Sequence, residues 1–444
     1  MKKIILFIIA SGCSLYLFAQ VPSPRQLDKT TRNIVLNSIG NAINSYYVFP
    51  DTAKLMWNYI NRQNEKDEYD LLVNPNDFAN KVVKDIRSVY DDAHLRIEYN
   101  PQLEADILRF LSSKKEAGKV ADAAIAKDEK MNFYFRKIEI LPSNIGYIQL
   151  NGFATASLSA SKIIQAAMQF VAHTDALIID LRNNYGGNAE TADEVAGYFF
   201  RNKTYTGESF NRIENKWTKR YVENKKAITG GLVLDMPVYI LTSHSTFSAA
   251  EGFAYTFQTI KKSMIIGDTT RGGAHLTRSF SLGNGFVGFI PFTRGKNAVT
   301  DTDWEGTGVI PDISTADSDC LITAHNIILN KKLAATKSET EKRKISYLLN
   351  YNRSKNASAI INPLSASKLT GQFAEFEVTL QGDQLMFRDT NERTVKYKKM
   401  SAVTPTLFQV GNDYQVEFIL ENGLCTSIKM YWDDGWEESM KRVR

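Results

Sequence analysis

The chain has 444 residues, 43% of them hydrophobic and 23% charged, which is typical of a folded protein with two or three domains. It carries 54 lysines and arginines against 49 aspartates and glutamates, a formal net charge of +5 that is small for this length. This composition excludes disordered and fibrous proteins, and without a basic stripe interleaved with aromatic residues we expect no nucleic-acid partner.

The first residues have the pattern of a secretory signal peptide over residues 1–19. Lys2 and Lys3 form a charged start, residues 4–18 form an apolar run, and the small residue Ala19 offers a cleavage site. The alternative is a lipoprotein attached through Cys13, but the apolar run continues past that cysteine. Because no later stretch is long and apolar enough to span a bilayer, the sequence predicts an exported protein, periplasmic or extracellular, cleaved near Ala19.

Residues 25–130 are predicted to form an N-terminal helical subdomain. Apolar residues recur at helical intervals in three segments, residues 34–47, 53–61 and 77–90. Residues 101–130 are charged and rich in alanine and lysine, which predicts a helical connector.

From residue 131 the pattern alternates between strands and helices, which predicts an α/β core with parallel strands over residues 131–333. The predicted strands are 145–150, 176–181, 236–241 and 263–267, and the predicted helices are 157–173, 188–200, 247–260 and 317–333. The Asn284-Gly285 pair predicts a hairpin that joins strands 277–282 and 286–291.

The last part of the chain is predicted to be a separate accessory module. Residues 334–360 are polar and charged, as expected of a helix or linker, and residues 361–444 contain short β-type segments punctuated by Gly, Asp and Asn. We expect a small antiparallel β domain, either sandwich-like or a partial barrel.

Cysteine and histidine patterns predict neither a cystine scaffold nor a metal site. Cys320 and Cys425 can pair in an oxidising compartment or remain as two buried thiols, and the sequence leaves both alternatives open. No CxxC occurs and the five histidines show no HxxxH spacing, so we expect no zinc and no cofactor.

Ser248 is the strongest sign of chemistry in the chain. It follows the predicted strand 236–241 and lies in the first turn of the predicted helix 247–260, where N–H groups without intrahelical partners can stabilise a negative charge. A serine hydrolase needs this arrangement for its nucleophile and oxyanion. The competing interpretation is a capping box of Ser248 and Glu251, which satisfies the helix donors and performs no chemistry.

Five segments in order resemble a known serine peptidase family. They read IGYIQLNGF, ALIIDLRNNYGG, PVYILTSHSTFSAAE, IGDTTRGGAH and DWEGTGVIPDI, from residue 145 to residue 313. The family includes the tail-specific (C-terminal processing) proteases, the tricorn core protease and interphotoreceptor retinoid-binding protein. The tricorn and retinoid-binding branch fits best, since residues 99–134 leave no room for the PDZ domain of the processing proteases. The resemblance implies a crotonase/ClpP-like β-spiral core.

The resemblance also implies catalytic roles. Ser248 matches the nucleophile, His94 matches the histidine base of the tricorn-like members, and Glu305 matches the glutamate that orients this base. The lysine base of the processing proteases falls on Gly273, so a Ser–Lys mechanism is not expected. The serine that precedes the histidine in tricorn-like members is Ala93 here.

Further residues have supporting roles under the same resemblance. The oxyanion is expected to meet the backbone N–H of Ala249 and one from Gly186 or Gly187. Asp92 or a nearby hydroxyl is expected to replace the missing serine beside the base. Two other histidines, His244 and His275, are alternative bases; His275 is the better of the two, and its other interpretation is as a residue lining the substrate groove.

These observations predict an exported serine peptidase that hydrolyses peptide or unfolded protein substrates through an acyl-enzyme on Ser248. No transmembrane span is expected, and the oligomeric state is left open. The competing hypothesis is a non-catalytic protein that binds hydrophobic ligands on the same fold, as the retinoid-binding relatives do. A third reading makes the C-terminal β domain an anchor in an assembly, with hydrolysis secondary.

Overall fold

The computed structural model describes residues 26–112, 114–356, 366–392, 394 and 396–443. The predicted signal peptide, with Cys13 and Ala19, lies outside these residues. Among the helices within the described ranges, none is both long enough and apolar enough to cross a membrane. The chain divides into two compact units.

The first unit combines the described residues up to Lys114 with Thr277–Phe292. Its helices and strands are Lys29–Tyr46, Pro50–Glu65, Pro75–Val89, Arg96–Tyr99, Pro101–Ser112, Leu276–Gly283 and the first part of Phe286–Asn297. Three of these helices begin with proline, Pro50, Pro75 and Pro101, at a position where the missing N–H would have no helical partner. The helices predicted over 53–61 and 77–90 are therefore present and begin slightly earlier.

The predicted hairpin around Asn284-Gly285 is present and belongs to this first unit. Strand Arg96–Tyr99 pairs with it in antiparallel register, and its side chains Leu282, Phe286 and Ile290 join the core of the N-terminal helices. The Glu104 carboxylate accepts hydrogen bonds from the Ser281 hydroxyl at 2.5 Å and from the Gly283 and Gly285 N–H groups at 2.9 and 2.6 Å. Nothing in the sequence predicts that this hairpin belongs to the same unit as the N-terminal helices.

The second unit contains the α/β core, built on a six-stranded sheet. From edge to edge the strands are Ile313–Ser314, Ser263–Gly267, Val238–Thr242, Ala176–Asp180, Ile145–Leu150 and Phe135–Leu141. All neighbours are parallel except the last pair, which is antiparallel. The two central strands are buried at every position because helices cover both faces of the sheet.

Alternate side chains of the strands enter two different cores. Ile179 and Ile240 pack with the helices on one face, Leu158–Phe170, Ala189–Gly197 and Ala249–Thr259. Ile178 and Tyr239 face the opposite side and pack with helix Cys320–Ala335. Since parallel strands end at one edge of a sheet, the loops after Asp180, Thr242 and Gly267 meet there, and that edge carries the candidate site.

The C-terminal part of the second unit consists of helix Glu339–Asn356 and an eight-stranded antiparallel sheet. The strands follow one another in chain order: Gly371–Phe373, Phe376–Gln381, Gln384–Asp389, Lys398–Ala402, Leu407–Val410, Tyr414–Glu421, Leu424–Trp432 and Glu437–Lys441. A bridge between Phe373 and Arg442, with the Val443 N–H donating to the Gln372 carbonyl at 2.8 Å, brings the last strand to the first. Of the two predicted architectures, the sheet is closer to the barrel.

The predicted fold class is confirmed, since the chain contains a helical N-terminal region, an α/β core and an antiparallel C-terminal sheet. The sequence left open whether the two cysteines pair, and the structure decides between the alternatives. Cys320 and Cys425 are both free and buried in the part of the chain that the structure describes, and they sit in different cores, so the disulfide alternative is not formed.

Candidate active site

Ser248 has a strained backbone at the start of helix Ala249–Thr259. Its dihedrals are φ +55° and ψ −118°, a conformation that residues with a β-carbon rarely adopt. Strain of this kind persists only where surrounding contacts enforce it, and it clusters at functional sites. A serine on a sharp strand-to-helix turn is also how α/β-hydrolases expose their nucleophile. The observed outlier therefore favours a chemical role for Ser248.

The capping interpretation of this segment is also borne out in part. The Glu251 carboxylate accepts the Ser248 N–H at 2.7 Å, as a capping box requires. The same carboxylate makes three further hydrogen bonds outside the helix, which a capping role does not need. The cap and the nucleophile interpretations are thus compatible.

The glycine loop, residues 181–187, follows strand Ala176–Asp180 and packs against Ser248. A β-carbon on Gly186 would lie 2.8 Å from the Ser248 Cβ, and one on Gly187 would lie 2.1 Å from the Phe153 carbonyl oxygen. Both glycines have positive φ, +93° and +128°. Only glycine satisfies both the close approach and these dihedrals.

The loop is fixed by two side chains that the sequence did not single out. The Asn184 amide accepts the Gly186 N–H and donates to the Leu150 carbonyl, each at 2.9 Å. Arg182 forms a double hydrogen bond with the buried Asp180 carboxylate, at 2.9 and 2.6 Å. Charge-assisted pairs of this geometry hold a backbone firmly.

Two backbone N–H groups beside Ser248 are available to an oxyanion. The Gly186 N–H is engaged by Asn184, whereas the N–H groups of Ala249 and Gly187 have no hydrogen-bond partner within the described residues. Of the two glycines named as alternatives, Gly187 is therefore the better candidate for the second donor.

Replacing Gly187 with alanine is expected to lower the rate of peptide hydrolysis by about 100-fold, the usual cost of one oxyanion donor. The new methyl group would collide with the Phe153 carbonyl and displace the loop. Gly231→Ala is the matched control, because its φ is also positive, +83°, but its β-carbon meets no atom within 4 Å. Steady-state hydrolysis and thermal unfolding of both variants check this; an equal loss of rate in the control would contradict it.

Ser248 lines a cavity of about 360 Å³ within the second unit. Ala249, Gly187, His275 and Trp304 line it too, together with the antiparallel strands Thr204–Asn211, Lys216–Val222 and residues 293–297. Its apolar wall includes Phe253 and Phe257, whose rings stack at 4.4 Å. A cavity of this size accommodates a small ligand or part of a peptide.

Glu305 lies next to His275, which the sequence offers as an alternative base or as a residue lining the substrate groove. The Glu305 Oε2 atom accepts the N–H of Ala274 at 2.6 Å and of His275 at 3.2 Å, and it is 3.6 Å from the His275 Nδ1 atom. Both side chains are almost completely buried. His244, the other histidine predicted as an alternative base, is exposed and does not line the cavity.

His94 and Asp92 belong to the first unit. The Asp92 carboxylate accepts the backbone N–H of His94 at 3.0 Å and the hydroxyl of Tyr47 at 3.1 Å. Asp92 therefore holds the main chain at His94 in a defined turn, consistent with a supporting role. The assignment of His94 as the base stays a prediction.

Comparison with known proteins finds a family match in the α/β core. Residues 144–315 match the model of peptidase family S41. The family resemblance predicted from the five motifs is confirmed.

The matching relatives are proteases, and the match covers only part of them. The chain is 30% identical over 176 residues to a probable CtpA-like serine protease of Staphylococcus epidermidis, covering 38% of this chain and 33% of that protein. It is 27% identical over 169 residues to a carboxyl-terminal-processing protease of a Picosynechococcus species, covering 38% of each chain. The chain thus spans little more than a third of the length of these relatives.

Among solved structures, a lipoprotein from Streptococcus agalactiae is similar at 17% identity, with a TM-score of 0.46. The match covers 68% of this chain and 96% of that one.

Proposed function

We propose that this protein is an exported serine peptidase that hydrolyses peptide bonds in peptide or unfolded protein substrates. The observation that carries the proposal is the strained Ser248 at a helix start, beside a cavity and two N–H groups that have no partner among the described residues. The match of residues 144–315 to the model of peptidase family S41 supports it.

In the proposed reaction the Ser248 hydroxyl attacks the scissile carbonyl while His94 takes its proton. The carbonyl oxygen becomes an oxyanion that accepts hydrogen bonds from the N–H groups of Ala249 and Gly187. Collapse expels the amine, which receives the proton from the imidazolium, and leaves an acyl-enzyme on Ser248. Water then attacks the ester by the same route in reverse, and Glu305 stabilises the imidazolium in both steps.

His275 remains the alternative base. It lines the cavity together with Ser248, and Glu305 lies 3.6 Å from its Nδ1 atom. A carboxylate beside an imidazole nitrogen is the arrangement that orients a catalytic histidine. His94 is preferred because it matches the position of the histidine base in the tricorn-like members.

Export is proposed from residues 1–19 and is tested by the start of the mature protein. Expressed in a bacterial host, the full chain is expected to appear outside the cytoplasm with an N-terminus just after Ala19. A lipid-modified N-terminal cysteine at position 13 would instead support the lipoprotein alternative, and an intact Met1 would contradict export.

The competing function is the binding of a hydrophobic ligand, and the apolar wall of the cavity at Phe253 and Phe257 favours it. A carrier would retain an extracted lipid-like ligand on purification and would be indifferent to Ser248→Ala. A peptidase loses turnover with that substitution while its ligand content is unchanged.

The test is hydrolysis of a labelled, permanently unfolded protein by the wild type and by Ser248→Ala. We expect fragments from the wild type and none from the variant, with equal thermal stability as evidence of folding. Equal cleavage by both proteins, or a folded wild type that cleaves neither this substrate nor a peptide library, would contradict the proposal.

A further inference from the structure

Glu251 is a fully buried carboxylate in the first turn of helix Ala249–Thr259, and it accepts four hydrogen bonds. Its Oε2 atom accepts the N–H of Ser248 at 2.7 Å and of Gly273 at 2.9 Å. Its Oε1 atom accepts the Thr270 hydroxyl at 2.5 Å and the Gly272 N–H at 2.6 Å. A buried carboxylate that accepts four hydrogen bonds is held in one orientation, and it fixes the position of the groups that donate to it.

These four bonds join two different loops of the sheet edge. One is the turn that carries Ser248, and the other is the turn of residues 270–273 that leads directly into His275. The next N–H groups along that second turn, those of Ala274 and His275, donate to Glu305. Glu251 and Glu305 together therefore engage the backbone from Gly272 to His275.

The same bonds decide which N–H groups remain for an oxyanion. The Ser248 N–H points to Glu251 and the Gly186 N–H points to Asn184, whereas the Ala249 N–H has no partner among the described residues. The bond to the Ser248 N–H also acts on the residue whose φ of +55° is strained.

We propose that Glu251 is a positioning residue for the proposed peptidase: its carboxylate holds the Ser248 backbone in the strained conformation and locks that turn to the Gly272–Gly273 turn. This inference rests on the proposed function. It places Glu251 behind the nucleophile, without contact to substrate, and it extends the capping box predicted from the sequence into a link between two loops.

Burial raises the pKa of Glu251, and its four hydrogen bonds oppose that shift. The ionised carboxylate can accept from all four donors, whereas a neutral amide of the same shape offers one oxygen and turns an N–H₂ group toward two of them. The isosteric variant Glu251→Gln therefore removes the acceptor with little change of volume.

The experiment compares Glu251→Gln with the wild type in peptide hydrolysis and in the rate at which a fluorophosphonate reagent labels Ser248. We expect kcat and the labelling rate to fall together by at least about tenfold, with KM within about threefold, because a displaced Ser248 hydroxyl attacks less readily while the groups that bind substrate are unchanged. Glu251→Asp keeps the charge, and we expect it to restore part of the labelling rate.

Asp128→Asn is the matched control. Asp128 is also a buried carboxylate of the second unit and accepts the Tyr134 hydroxyl and the Thr155 N–H, each at 2.7 Å, but it does not line the cavity. It is expected to lower thermal stability without slowing labelling. If Glu251→Gln lowers stability and leaves the labelling rate and kcat unchanged, Glu251 is only a structural cap and the inference is overturned.

The possible outcomes separate this inference from the proposed function. An active wild type with an equally active Glu251→Gln variant overturns the inference alone. A folded wild type that is neither labelled nor active overturns the proposed function and the inference with it. If Glu251→Gln does not fold, Glu251→Asp is tested in its place. The shorter aspartate side chain cannot reach all four donors. An unchanged labelling rate in folded Glu251→Asp therefore overturns the inference.

Discussion

Replacing Ser248 with glycine is expected to abolish peptide hydrolysis and to stabilise the folded protein. Loss of a serine nucleophile typically lowers kcat by about 10⁶-fold. The strain of a residue with a β-carbon in an unfavourable conformation costs about 1–3 kcal/mol. Glycine adopts φ +55° and ψ −118° without this cost but loses about 0.5–1 kcal/mol through its greater freedom in the unfolded chain. The expected net gain is therefore about 1 kcal/mol.

The matched variant is Ser248→Ala, which loses the hydroxyl and keeps the β-carbon. Chemical denaturation of both variants isolates the strain, since both lack the nucleophile. We expect Ser248→Gly to be more stable than Ser248→Ala by about 1 kcal/mol, as at other active sites where a strained conformation lowers the stability of the folded protein. Equal stability would show that the conformation at Ser248 is not strained, and residual hydrolysis near the wild-type rate would show that Ser248 is not the nucleophile.

Replacing His94 with alanine is expected to lower kcat by about as much as loss of the nucleophile, because base and nucleophile act as one unit. His275→Ala removes a side chain that lines the cavity and contacts Glu305, so we expect a smaller effect that falls mainly on KM. Steady-state hydrolysis of one peptide by both variants measures this difference.

The opposite result would reassign the base. If His275→Ala abolishes turnover and His94→Ala leaves it nearly intact, His275 is the general base of the site and Glu305 is the carboxylate that orients it. Thermal unfolding of each variant is the control, since His275 is buried and its removal leaves a void.

The core elements were predictable because their sequence patterns are local. Strands Ile145–Leu150 and Ser263–Gly267 have the predicted bounds, since each is a short apolar run ended by polar or glycine residues. Ser248 was singled out because a serine between a buried strand and an amphipathic helix is a local signal with a chemical meaning. The glycine loop was singled out for the same reason, and the roles of both stay predictions.

Features that depend on distant partners were not predicted. Two strands that line the cavity show no run of apolar residues: Thr204–Asn211 is mostly half-buried, and Lys216–Val222 is largely exposed. Asn184 fixes the glycine loop by donating a hydrogen bond to the Leu150 carbonyl. Glu104 accepts hydrogen bonds from a hairpin about 180 residues further along the chain. Such contacts leave no periodicity in the sequence.

Glu251 shows how a correct local interpretation can be incomplete. The Ser-x-x-Glu spacing predicted its bond to the Ser248 N–H, which is present. Its bonds to Thr270, Gly272 and Gly273 depend on a turn that only the fold brings close. A Glu in a capping box followed some 20 residues later by a Gly-Gly turn is the signal that, in hindsight, points to this link.

The claim that Ser248 is a reactive nucleophile is tested most directly by identifying the residue that a fluorophosphonate reagent modifies in the folded protein. We expect a single adduct, mapped by peptide mass spectrometry to Ser248, that is absent after heat denaturation and in Ser248→Ala. A folded wild-type protein that forms no adduct, or forms it at another serine such as Ser245, would contradict this claim.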